Sequence, residues 1–121
     1  MSLRSLLVIS MALGFAAALP GDASATAAYG PCAPTSVQVI FNGQQLYITC
    51  RNTMYYYWSD GSLRSATSIG LNLSSTTGTA FNAYLSVANA ALLSGKTLWI
   101  WPNFGLAPTS TLVYIQDLSI Q

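Results

Sequence analysis

Apolar and polar positions alternate with a period near two through most of the chain, and the period turns helical once. Ser36-Val-Gln-Val-Ile-Phe41 is β-rich and partly alternating, and Asn42-Gly43 after it is a hairpin turn signal. Gln45 to Arg51 answers as the return strand, and Asn52-Thr53 marks the next break. Met54 to Ser59 follows as an aromatic run, Tyr55-Tyr56-Tyr57-Trp58, closed by a second turn signal at Asp60-Gly61. Ser62 to Ala66 is polar, and Ile69 to Leu73 alternates again as a strand. The period then changes. Phe81, Tyr84, Leu85, Ala88 and Leu92 recur at helical spacing and predict a helix over about 79–94. Thr79 can cap its start, Gly95 sits where a left-handed C-terminal cap belongs, and Lys96 lies beside the negative end of the dipole. The opposite face carries Asn82, Ser86 and Asn89 with small Ala83 and Ala90, where a soluble helix usually shows Lys or Glu. Contact with another protein surface explains that face, and so does a composition poor in charge everywhere.

Thr97 to Trp101 reads as a strand with Leu98 and Ile100 on one side and Trp99 and Trp101 on the other, stopped by Pro102. Thr109 to Ile120 is the last strand, with Leu112, Tyr114 and Gln116 alternating against Val113 and Ile115. The order is β-β-β-β-α-β-β, with an early strand free to merge into its neighbour. A mostly β chain with a strand meander, one helix and two closing strands suits a small barrel of the OB type. A two-layer α+β sandwich is the alternative.

Composition narrows the chemistry more than the fold. Hydrophobic residues make up 52% and charged residues 6%, with no His and no Glu, so most catalytic acid–base sets are missing. Residues 1–25 read as a signal peptide: Arg4, an apolar stretch from Leu6 to Leu19, the break Pro20-Gly21, and the cleavage pattern Ala23-Ser24-Ala25. Residues 26–121 then form one domain, secreted or periplasmic. In an oxidising compartment Cys32 and Cys50, the only cysteines, are expected to form a disulfide. No metal site and no cofactor are expected, since Asp60 and Asp117 are the only acidic side chains beyond the signal peptide. Arg51, Arg64 and Lys96 against those two aspartates make no basic stripe, which argues against nucleic acid. Near-neutrality with so many apolar residues points to association. A Ser–Lys96 pair or a converging Asp60 and Asp117 would be needed for an enzyme, and both positions read more simply as a helix-end charge and a turn residue.

Binding therefore falls to the aromatics. Tyr55, Tyr57, Trp58, Trp99 and Trp101 cannot all enter so small a core, and their flat apolar faces with polar edges suit sugars and protein interfaces alike. Tyr57, Trp58, Asp60 and Arg64 are the candidate ligand residues. Asp60 and Arg64 there can hydrogen-bond hydroxyls or a carboxylate. Asn82, Ser86, Asn89, Trp99 and Trp101 are the candidate interface.

The segment Ser68 to Leu98 also carries a resemblance. A short strand (Ile69-Gly-Leu-Asn-Leu73), a Ser-Ser-Thr-Thr linker, Phe81 and Tyr84-Leu85 lead to Ala88-Asn-Ala-Ala-Leu-Leu-Ser-Gly95-Lys96, which runs into Leu98-Trp-Ile-Trp101. It resembles the B subunits of AB5 toxins of the subtilase-cytotoxin and pertussis-like kind, and related stand-alone secreted bacterial OB-fold proteins. Val113-Tyr-Ile-Gln-Asp-Leu-Ser119 resembles their closing strand. The resemblance implies an OB-type barrel, export from a bacterium and, in toxin members, a homopentamer that binds host glycans beside a catalytic A subunit. The Tyr55–Trp58 run and the cysteine placement depart from that pattern. The expected function is a secreted, non-enzymatic, oligomeric and glycan-binding protein. A secreted inhibitor or adhesion module acting by protein–protein contact is the alternative.

Overall fold

The computed structural model describes residues 27–121, so the signal peptide expected at 1–25 lies outside the described residues. Strands β1 (Tyr29–Cys32), β2 (Pro34–Ile40), β3 (Gln45–Tyr57) and β4 (Leu63–Asn72) precede a short 3₁₀ turn (Leu73–Ser75) and helix α1 (Gly78–Ser94). Strands β5 (Leu98–Pro102) and β6 (Leu112–Ile120) close the chain. All six strands join one sheet in the order β1-β5-β6-β4-β3-β2. Neighbours are antiparallel except β4 and β6, which run parallel through Ser68–Leu112, Ile69–Val113 and Gly70–Tyr114. The chain is thus mostly β with one helix, and the sheet curls into the form of a small β-barrel.

Curling follows from connectivity. β1 and β2 stand at opposite ends of the strand order, yet only Ala33 separates them in the chain. The continuous β1–β2 segment therefore starts on β5 and finishes on β3, drawing the two sheet edges together. Four bonds hold the switch. Cys32 and Cys50 form the expected disulfide, with 5.3 Å between their Cα atoms. Arg51 donates its backbone N–H to the Ala33 carbonyl at 2.7 Å. Asn52 accepts from the Ala33 N–H through Oδ1 at 3.0 Å and donates from Nδ2 to the Pro31 carbonyl at 2.7 Å.

Alternation fills the interior. Leu46, Ile48, Ile69, Leu71, Leu98, Ile100 and Val113 face inward and are fully buried, each contributing roughly 1.5–3 kcal/mol of apolar transfer. Helix α1 packs against β2, β6 and β3 and adds Phe81, Ala88 and Ala91 to this core. The inward phase of β6 shifts after Ile115, where Trp101 pairs with Asp117 but Pro102 pairs with Ile115. The extra residue turns Leu118 inward and leaves Asp117 outside.

Several expected boundaries move, for physical reasons. The break at Asn52-Thr53 is a bulge inside one long strand, because Asn52 satisfies the β1–β2 junction while β3 continues to Tyr57. The polar stretch Ser62 to Ala66 belongs mostly to β4, pairing with that continuation. The expected Asn42-Gly43 turn takes in Phe41, with Phe41, Asn42 and Gly43 all at positive φ (55°, 56° and 84°). Thr77, rather than Thr79, caps α1 by accepting the Ala80 N–H at 3.1 Å. Gly95 is the left-handed C-cap, at φ 73°. Pro102 is the last paired residue of its strand, and the final strand begins at Leu112.

Asn52→Ala removes both junction bonds while leaving the disulfide. Loss of about 1–3 kcal/mol is expected, read as a lower urea midpoint of the oxidised protein at unchanged slope.

Candidate functional site

The β3–β4 hairpin ends in a tight turn. Trp58 accepts the Gly61 N–H and donates its own N–H to the Ser62 carbonyl, both at 2.9 Å, with Gly61 at φ 85°. Asp60 fastens the turn, its Oδ1 accepting from the Ser62 N–H at 2.9 Å and from Ser62 Oγ at 2.6 Å. Ser62 Oγ in turn accepts from Arg64 Nε at 2.9 Å, which aims the guanidinium across the turn. The guanidinium carbon lies 5.8 Å from the Trp58 ring centre, and Phe104 meets that ring edge-on at 4.9 Å.

Trp58, Asp60 and Arg64 are thereby brought together, with Ser62 as the hinge of the group. Tyr57 is set apart from them. It pairs with Leu63 on the outer face, whereas Arg64 pairs with buried Tyr56. Sequence reasoning missed Phe104 and Ser62. An aromatic between Asn103 and Gly105 in a long loop was the available signal for Phe104, since Asn103 Oδ1 accepts the Gly105 N–H there.

Asp60 is exposed, and its carboxyl is held below the usual range, first by the Ser62 hydroxyl, then by the Ser62 N–H and Arg64. The direct Arg64–Asp60 approach is 3.9 Å between exposed groups and is worth little. Tyr56 is pushed the other way, up, by burial, against an opposing pull from Arg64.

The candidate interface residues lie on different elements. Asn82, Ser86 and Asn89 are exposed along one side of α1. Trp99 and Trp101 are half-buried on the outer face of β5, opposite Ser119 and Asp117. Trp99 covers β1, for a Cβ built on Gly30 would lie 3.2 Å from its ring. Asp117 raises the Tyr84 hydroxyl by accepting its hydrogen bond, after burial as the larger cause. A second polar cluster, also missed, lies on the outer face of β3, β4 and β6. There Gln45 is only 5% exposed and folds over Gly70, where a Cβ would stand 2.6 Å from its Nε2. Tyr47 donates to Ser68 Oγ beside it at 3.0 Å.

The chain matches no protein-family model, no curated protein and no solved structure. The disulfide itself marks an oxidising, non-cytosolic setting. Among the described residues no helix is long and apolar enough to cross a membrane.

Because the Ser62 hydroxyl is the largest cause of the Asp60 shift, Ser62→Ala should raise the Asp60 pKa toward the ordinary carboxylate value. A carbon-detected NMR titration of Asp60 reads this directly. A depressed folded pKa stabilises above the unfolded value and is lost as pH falls through the folded one. Acid unfolding of Ser62→Ala should therefore begin at higher pH than in the parent.

Proposed function

We propose that this chain is an exported, non-enzymatic binding protein built on an OB-type barrel, with glycans as its ligand. The strand path supports the barrel type. If β1 and β2 count as one bent first strand, a three-strand meander precedes the helix, and the last strand lies parallel to the third. OB-type barrels bind on the face of their second and third strands, with loops at both ends contributing. Here those strands are β3 and β4, and the loop after β5 brings Phe104 to their tip.

One observation carries the ligand reading. Arg64 is half-exposed, aimed by Ser62 and set against an aromatic pair, Trp58 and Phe104. An oriented guanidinium beside flat rings offers forked donors to hydroxyl or carboxylate oxygens, and apolar faces to sugar C–H groups. Asp60 adds an acceptor at the same turn. In the toxin-like form of this reading, a catalytic A subunit encoded nearby would be its partner.

A glycan array probed with the oxidised protein tests the reading. Binding is expected to a restricted set of glycans, and Arg64→Ala should weaken it by about tenfold or more with the fold intact. No binding to any glycan by folded protein would remove the lectin assignment. The protein-contact alternative would then lead, since Tyr55, Tyr57 and Leu63 form an exposed apolar strip on the reverse of the hairpin.

A further inference from the structure

We propose that the outer edge of β3 at Tyr55–Tyr57 pairs with the same edge of a second copy, forming a two-fold homodimer. The inference is independent of the ligand reading, because it uses the opposite face of the hairpin from Trp58 and Arg64.

Backbone register sets out the edge. Trp58 donates to the Ser62 carbonyl, so 58 and 62 form a hydrogen-bonded pair. In an antiparallel ladder such pairs alternate with pairs whose N–H and C=O groups point away from the partner strand. Tyr56–Arg64 is thus bonded inward, and Tyr55–Ser65 and Tyr57–Leu63 are the pairs that point outward. On the β3 side Arg51 follows the same phase, its N–H reaching the Ala33 carbonyl. Beyond Arg51 the first strand leaves β3 for β5, and no described strand pairs with the edge at Tyr55 and Tyr57. Both side chains there are exposed, at 62% and 54%. A bare strand edge with exposed aromatics and no lysine or proline is a pairing template.

Symmetry selects a second copy over an arbitrary strand. About an axis at Tyr56, Tyr55 of one copy falls opposite Tyr57 of the other, twice. Each of these pairs can exchange both N–H···O bonds using the groups left outward, and the tyrosine rings meet as cross-strand aromatic pairs. The paired stretch, Met54 to Tyr57, carries no charged side chain. A two-fold contact of this kind closes on itself and yields a dimer, whereas a five-membered ring needs a head-to-tail contact.

Light scattering and sedimentation of the oxidised protein over a concentration series test it. The parent should show twice the chain mass. Tyr55→Lys combined with Tyr57→Lys sets like charges across the axis and should give a monomer whose thermal unfolding, read at a concentration where the parent is also dissociated, is unchanged. A parent mass of one chain or of five overturns the proposal, as does a dimer that survives the lysines.

Discussion

Ala33 is the point on which the molecule turns. One residue separates a strand on β5 from a strand on β3, and those positions are the two ends of a six-stranded sheet. A sheet whose edges are held by adjacent residues must curl, so the barrel form depends on keeping that junction closed. The disulfide does this covalently across 18 residues, a constraint worth about 3 kcal/mol in the chain-entropy treatment. Arg51 and Asn52 complete it by satisfying the Ala33 N–H and C=O, groups that neither ladder can reach. For a small core, this combination supplies what additional apolar burial would in a larger domain.

The same junction shapes the functional hairpin. Because the chain departs for β5 at Ala33, the outer half of β3 has ladder pairing with β4 alone. Beyond the bulge between Thr49 and Met54, Met54 and Tyr56 still face the core. Two faces result. One turns Tyr56, Trp58 and Arg64 toward Tyr29 and Phe104, where rings and a guanidinium pack together. The other displays Tyr55, Tyr57 and Leu63. Strand alternation thus divides one aromatic run into a ligand-type surface and a pairing-type surface.

What the sequence made legible follows from how local each signal is. Period-two alternation separates the buried from the outward positions of β5, and of β6 as far as Ile115, and Phe81, Ala88 and Gly95 mark the buried face and the end of α1. Asn52 was misread as a breaker, because its role depends on Pro31 and Ala33, about twenty positions away in the chain. Strand β1 escaped notice for the same reason. Tyr29-Gly-Pro-Cys32 has no alternation of its own and is a strand only because β5 pairs with it. Within the candidate site, Trp58, Asp60 and Arg64 were adjacent enough to group by eye. Phe104 arrives from the far end of the chain, and the placing of Tyr57 on the opposite face required the register.

The central claim, that the Ala33 junction holds the two sheet edges together, is tested most directly by residue-resolved amide exchange on the Cys32→Ala, Cys50→Ala double variant. If the junction closes the barrel, protection should fall first and most at Leu98 and Ile100, where β1 is held, while Val37 to Ile48 in the β2–β3 ladder stay protected. Uniform loss across all strands, or no loss at the β1–β5 ladder, would contradict it.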